Sequence, residues 1–292
     1  MDWIKSFQKS INYIEEHITE PLDYDRIAQE MNISGFYFQK IFSILCGISP
    51  GEYIRNRRLT LAGSELLATD QKVLDLALKY GYDTPEGFTR AFTRFHGVTP
   101  NAARKEKTPL KSFSRLSISI SLKGGTSMNY RIEEKCNFQI LAKTQRFSKI
   151  EDVCSRKDIP IFWSECHQDG TLKYLTETGK KDGVLGDSIV GICMEDSTVV
   201  KDFPYSIGAE YDTGSIPEGY RLFDIPAATW LIFEAEGPMP ESIQRLWHQI
   251  FAEFFPTSDY KPSGNFNFEV YPSGDMNNEE YHSEIWIAVT EK

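Results

Sequence analysis

The sequence has no apolar run approaching the roughly 18 residues needed to cross a bilayer, and no apolar leader at its start. No membrane partner is expected, and a cytoplasmic protein is. Cysteine is scarce and unpaired. Cys46, Cys136, Cys154, Cys166 and Cys193 make no C-x-x-C spacing and meet no paired histidines, so neither a zinc motif nor a disulfide framework is indicated. Buried or idle thiols are expected. The five histidines, His17, His96, His167, His248 and His282, form no recognisable constellation, and no Ser-His-Asp order accompanies them. The chain reads as a non-enzyme, with no catalytic residue, metal or cofactor expected.

Positive charge is also short: 32 Lys+Arg face 42 Asp+Glu, a net −10 that, taken whole, argues against a nucleic-acid partner. The deficit is regional. Residues 1–110 hold 14 bases and 14 acids; residues 111–127 hold three bases (Lys111, Arg115, Lys123) and no acid; residues 128–292 hold 15 bases against 28 acids. The acidity belongs to the C-terminal part, so the neutral N-terminal part leaves DNA open as a partner, with modest non-specific affinity. The length accommodates two soluble domains, each able to bury a core.

What is present is a repeat. "LCGISP" (Leu45–Pro50) returns as "FHGVTP" (Phe95–Pro100), fifty residues on. Upstream of each copy the same template recurs. Tyr24, Ile27, Ala28 and Met31 fall at i, i+3, i+4, i+7, as do Val73, Leu76, Ala77 and Tyr80, which predicts two amphipathic helices. After a short polar break each is followed by a second helix, one with Phe38, Ile41, Phe42 and Leu45 inward, the other with Phe88, Ala91, Phe92 and Phe95. Ser34 and Thr84-Pro85 supply helix starts. Gly47 and Gly97 supply left-handed ends, and Ser49 with Glu52 makes a capping box for the next helix.

Helix, short turn, helix is the helix-turn-helix plan, whose second helix enters the major groove. Subtracting the core leaves Phe36, Tyr37, Gln39, Lys40 and Ser43 outward on the first such helix, and Thr84, Glu86, Gly87, Thr89, Arg90 and Arg94 on the second. Gln suits adenine, Arg and Lys suit guanine, and an aromatic ring suits a thymine methyl. An all-helical core without a ligand explains either copy alone about equally well; two matched copies favour DNA. The intervening "PGEYIRNRRLTLAGSELLA" predicts a long helix that spaces them, so one chain reads two half-sites.

Residues 5–107, above all "PGEYIRNRRLTLA" and "YGYDTPEGFTRAFTRFHGVTPNAAR", resemble the AraC/XylS family of transcription regulators. The resemblance implies DNA contacts by Phe36, Gln39 and Lys40 from the first recognition helix and by Thr84, Glu86, Gly87 and Arg90 from the second. It also implies promoter DNA as a partner; RNA polymerase is a further candidate partner for a regulator of this kind. Pro85, Glu86 and Gly87 depart from the family's usual polar readers. That implies weak discrimination by the second helix, with Arg90 holding backbone.

A Ser-, Gly- and Lys-rich stretch, residues 108–127, marks a linker between a DNA-binding domain at 1–107 and a second domain at 128–292. Within it "RLSISISL" alternates as a short strand would. Beyond it the texture becomes strand, helix, strand, strand, and then recurs: "FQILAKTQRF", a helix from Asp158 to about Leu175, "SIVGICMED", "YSIGAEY"; then "ATWLIFEAEG", a helix from Pro240 to about Phe255, "FNFEVYP", "SEIWIAV". Trp163 aligns with Trp247. The expectation is an α+β domain with a pseudo-twofold strand-helix-strand-strand repeat and a cleft between its halves.

In the last strand Glu284 and Trp286 share a face, and a carboxylate beside an indole suits a flat cation. Trp163, Tyr205, Tyr211, Phe268 and Tyr271 are aromatic candidates for the same cleft, although each is also an ordinary core residue by type. From about 128 to 290 the chain resembles the GyrI-like effector-binding domains. That resemblance implies a small, lipophilic or cationic effector, with Glu284 lining its pocket; Ala288 stands where a proline is common. The reading is a DNA-binding regulator that senses a small molecule. Two alternatives stay open: a C-terminal hydrolase using Glu and Tyr as acid and base, and a regulator that needs no ligand.

Overall fold

The computed structural model describes residues 3–106, 108–118, 127–148, 154–194, 202–212 and 214–292. The chain divides into two compact units, Met1–Leu122 and Lys123–Lys292.

The first unit is helical. Helix α1 (Trp3–Glu16) buries Trp3, Phe7, Ile11 and Ile14 along one stripe. Then come α2 (Tyr24–Ala28) with a 3-10 turn at Gln29–Met31, α3 (Gly35–Cys46), α4 (Pro50–Ala68), α5 (Val73–Lys79), α6 (Pro85–His96) and α7 (Pro100–Glu106). The repeat is explicit in the caps. Ser34 and Thr84 accept from the backbone N–H three residues on, at 3.3 and 3.1 Å. Gly47 and Gly97 close α3 and α6 in the left-handed region, at φ 74° and 82°, where a side chain would be strained.

Helix α4 serves both copies. Tyr53 packs against Phe42 of the first, with ring centroids 5.6 Å apart and planes tilted by 52°; Leu59, Ala62 and Leu66 join Leu76, Phe88 and Phe92 in the second. Residues 108–118, composed like a linker, adopt no regular structure and lie along this unit. Phe113 N–H donates to Thr60 Oγ1 at 2.9 Å, Leu116 N–H to Tyr53 Oη at 3.1 Å and Ile118 N–H to Gln8 Oε1 at 3.3 Å. The alternating stretch is not a strand up to Ile118, where the Leu116 and Ile118 N–H groups go to side chains; residues 119–122 lie outside the described ones.

The second unit is an eight-stranded antiparallel sheet with helices on one face. Its elements are β1 (Tyr130–Lys135), β2 (Phe138–Ser148), α8 (Cys154–Gln168), α9 (Thr171–Thr178), β3 (Ile189–Met194), β4 (Asp202–Glu210), β5 (Tyr220–Ile225), β6 (Ala228–Glu236), α10 (Glu241–Gln249), β7 (Tyr260–Tyr271) and β8 (His282–Glu291). Strand order is β1-β6-β8-β7-β3-β4-β2-β5, which reads the same from either end once the halves are exchanged. The opening strand of each half crosses over: β1 pairs with β6 and β5 with β2.

Strands β1 and β5 are additions to the strand-helix-strand-strand plan expected from sequence. Their charged, half-exposed residues hide them in a hydrophobicity reading, although "YRIEEK" and "YRLFDI" echo one another. On one face α8 and α9 cover Phe147, Tyr205, Ile207 and Ala209, and α10 lies over β6 and β8. The opposite face gathers Ile140, Ile192, Trp230, Ile232, Phe268 and Trp286. No helix among the described residues is long and apolar enough to cross a membrane. Cys166 is buried, Cys46 and Cys193 are half-buried and Cys136 is exposed.

Candidate DNA interface and effector site

Of the residues placed outward on the recognition helices, Phe36, Gln39 and Lys40 are partly exposed on α3, and Thr84, Glu86 and Arg90 are exposed on α6. Tyr37 is a correction. It is only 1% exposed, because α3 packs on two adjacent rows, 37/41 and 38/42, and turns both inward. Gly87 gives its N–H to the Thr84 cap, and a Cβ there would lie 3.0 Å from Thr84 Oγ1, so its place in the helix start has a structural reason. Gln39 Nε2 donates to Gly35 O at 3.2 Å, which leaves its amide oxygen to accept.

In the second unit the seven predicted effector residues do not line one cleft. Cross-strand pairing sets the faces: Val270 pairs with Glu284 and Phe268 with Trp286, whereas Glu269 pairs with Ile285. Phe268, Glu284 and Trp286 therefore lie on the face away from the helices. Trp163, Tyr205 and Tyr271 lie on the helix-covered face, and Tyr211 lies just past the end of β4, its N–H donating to Gln139 O at 2.9 Å. The single-cleft expectation is corrected by the period-two alternation of the strands.

The carboxylate and indole predicted to hold a cation already hold the chain's own cations. Glu284 accepts from Arg131 Nη1 at 2.8 Å and from Trp286 Nε1 at 2.6 Å. Lys135 Nζ lies 5.5 Å from the Trp286 ring centroid, and Arg131 also reaches Glu133 and Glu234.

A different carboxylate stands on the helix-covered face. Glu269, on the central strand β7, accepts from Trp247 Nε1 (α10) at 2.6 Å, from Tyr271 Oη at 3.1 Å and from Tyr205 Oη at 3.3 Å. Trp163 Nε1 (α8) donates to Tyr205 Oη at 3.0 Å, and the Trp163 ring meets Tyr271 edge-on at 5.1 Å. No Lys, Arg or His among the described residues pairs with Glu269. Burial, and then the charge of Glu269, pushes the pKa of Tyr205 and Tyr271 well above 10, so both hydroxyls remain donors.

Gly191 makes room for this cluster. It pairs with Glu269 across the central β3–β7 ladder, and a Cβ on it would lie 2.2 Å from Tyr205 Oη and 3.3 Å from Glu269 Oε2. Matching the β3–β4 and β7–β8 ladders puts Gly191 where Glu269 stands in the other half. The near-twofold site thus holds two tryptophans but one carboxylate. Sequence reasoning paired Trp163 with Trp247 and passed over Glu269. The available signal was a charged residue in "FNFEVYP" sharing the Tyr271 face.

Comparison with known proteins fixes the two halves. The integron-associated effector binding protein family matches residues 131–289, more than half of the chain, and a helix-turn-helix domain family matches residues 27–106. The chain is an AraC-type regulator with a GyrI-like, integron-associated effector-binding domain. Over 100 residues it is 38% identical to the regulatory protein SoxS of Escherichia coli K12, covering 34% of this chain and 94% of SoxS. Over 104 residues it is 39% identical to the uncharacterized regulator YbfP of Bacillus subtilis, of which it spans about a third. Among solved structures, SAV2435 bound to tetraphenylphosphonium matches 56% of this chain and 94% of its own, at 21% identity and a TM-score of 0.49. The regulator binds double-stranded DNA through its AraC-type domain.

Proposed function

We propose that the C-terminal domain senses an aryl-bearing, lipophilic cation bound between α8 and α10, and that occupancy there changes how the N-terminal domain acts at a promoter. One observation carries the reading: Glu269 is a carboxylate with three hydrogen-bond donors and no cationic partner among the described residues, ringed by Trp163, Trp247, Tyr205 and Tyr271. The donors fix the carboxylate without neutralising it. Near a protein surface a cation about 4 Å away gains about 4 kcal/mol of Coulomb energy, and each indole face adds about 0.5–2 kcal/mol. Glu284 is the weaker candidate, since Arg131 and Lys135 already satisfy it and Trp286. In the N-terminal domain Phe36, Gln39 and Lys40 read one half-site, and Thr84, Glu86 and Arg90 contact the other.

The test titrates the full chain with a tetraarylphosphonium, a neutral arene and an aryl sulfonate of matched size, following tryptophan fluorescence. The cation is expected to bind, Glu269→Gln to weaken it at least about tenfold, and Glu284→Gln to leave it unchanged. Equal binding of all three compounds, or full affinity in Glu269→Gln, sinks the assignment. Product formation that depends on Glu269 would favour the hydrolase reading instead. A promoter response unaffected by every ligand that binds would favour the ligand-independent regulator.

A further inference from the structure

Two arginines of α4 reach a cleft of about 420 Å³ at the seam between the two helix-turn-helix copies. Its lining includes Tyr24 from the first copy, Gly51, Arg55 and Arg58 from α4, and Gly81 and Tyr82 from the second. Both ends of this cleft adjoin a recognition helix. Tyr24 opens α2, and its carbonyl carbon would lie 3.1 Å from a Cβ on Gly35, the first residue of α3. The next residue, Asp25, accepts the Gly35 N–H at 3.0 Å. Tyr82 stands two residues before Thr84, the N-cap of α6. Recognition helices present their N-terminal residues to base edges. A cleft strung between two such N-termini therefore faces the DNA, over the backbone that runs between adjacent major-groove segments.

The charge in the cleft is positive and uncompensated by carboxylates. Arg58 is fixed by backbone: Nε donates to Ile18 O at 2.6 Å and Nη2 to Glu20 O at 2.7 Å. Its Nη1 lies 2.6 Å from where a Cβ on Gly81 would be, so only glycine leaves that nitrogen its place. Arg55, three residues earlier on α4, is exposed. Neither arginine meets a carboxylate among the described residues. Burial pushes the Tyr82 hydroxyl up in pKa against the pull of Arg55 and Arg58, so it stays a protonated donor.

We propose that this cleft holds one DNA backbone phosphate between the two half-sites, with Arg55 as its direct partner, Tyr82 as a hydroxyl donor and Arg58 as the fixed charge behind them. The inference rests on DNA binding by this domain and adds a contact outside both recognition helices. Such a contact reads no base. It supplies sequence-independent affinity to a domain whose first 110 residues carry equal numbers of acids and bases.

The experiment measures the affinity of the full chain for a random-sequence duplex of about 30 base pairs, long enough for two major-groove segments about 34 Å apart, across a series of chloride concentrations. In Arg55→Gln the slope of log affinity against log salt should become shallower by about 0.9, the share of one phosphate, with an unchanged melting temperature. Arg55→Glu should lose more affinity. Tyr82→Phe, which keeps every charge, should weaken binding while retaining the native slope. Native slopes in both Arg55 variants would overturn the phosphate contact and leave DNA binding standing; a native chain that binds no duplex would overturn the DNA-binding reading itself. Inorganic phosphate, compared with chloride at matched ionic strength, separates the two sources of the anion. Competition by phosphate that disappears in Arg55→Gln would support the contact, since phosphate and duplex then exclude one another from the cleft; phosphate that raises the melting temperature through Arg55 while leaving duplex affinity unchanged would assign the cleft to a free anion and overturn the DNA assignment.

Discussion

Both units are built by duplication, and they use it in opposite ways. In the first unit the copies follow one another along α4, each keeping its own core and its own recognition helix, so the repeat yields two reading heads. In the second unit the copies exchange strands β1 and β5 and share one sheet, so the repeat gathers side chains from both halves around Glu269 at its axis. A tandem repeat preserves each copy's surface, which suits a ligand that is itself periodic. A twofold repeat sets Trp163 and Trp247 about one carboxylate, Trp247 bonded to Glu269 directly and Trp163 through Tyr205, an arrangement that suits a single small ligand.

The largest expected effect tests what holds the tandem unit together. Arg57 makes a bidentate pair with Glu15 at 2.8 Å, and its Nη1 donates to Phe113 O at 2.7 Å. Both side chains are largely buried, at 12% and 8% exposure, so Arg57→Ala leaves an uncompensated carboxylate and should cost about 3–5 kcal/mol. Hydrogen exchange should rise through α1, α4 and residues 108–118.

The same network predicts an acid limit. Burial raises the pKa of Glu15, but its bonds to Arg57 and Tyr53 outweigh burial and hold it below the ordinary 4.5. A carboxylate depressed by folding adds stability above its unfolded pKa and loses it as pH falls through the folded value. Protection factors in residues 108–118, that is exchange corrected for its intrinsic pH dependence, should therefore fall below about pH 4.5, and Arg57→Ala should flatten that dependence.

The matching cut in the twofold unit is Gly191→Ala. The added methyl would collide with Tyr205 Oη and crowd Glu269. We expect a loss of about 1–3 kcal/mol with cation binding abolished, read by urea unfolding and by the fluorescence titration. If the variant bound the cation normally, the single-carboxylate account of the axis would fail.

How much of this was legible follows from the kind of signal each part leaves. The tandem copies kept their caps and terminators, Ser34 and Thr84, Gly47 and Gly97, because each copy must start and stop its own helix; those residues read directly from spacing. Tyr37 did not, since a subtraction of core positions assumes one buried row and α3 buries two. In the twofold unit the apolar strands were legible, whereas β1 and β5 carry charged residues and declare themselves only by pairing. Glu269 was hidden for a different reason. A strand's two faces are known only relative to a partner, and until β7 is paired with β3 and β8 nothing says which of Phe268 and Glu269 lies under the helices. Glu284 drew attention instead because its indole neighbour is two residues away in sequence, but its cation is Arg131, supplied by a crossing strand.

The smallest effect tests whether the two reading heads are equivalent. Both recognition helices begin with a hydroxyl cap, so Ser34→Ala and Thr84→Ala would be expected to cost about 1 kcal/mol each. The helix starts differ, however. Helix α3 has a second acceptor, since Asp25 Oδ1 takes the Gly35 N–H at 3.0 Å, and that bond survives loss of Ser34. At the same position α6 has Pro85, which offers no N–H, so Thr84 alone holds the Gly87 N–H and the turn ahead of it. Thr84→Ala should therefore fray its helix more than Ser34→Ala, read as faster amide exchange at the start of α6 than at the start of α3. Equal fraying would mean that Asp25 adds nothing to the first cap, and that the two heads differ only in the side chains they present.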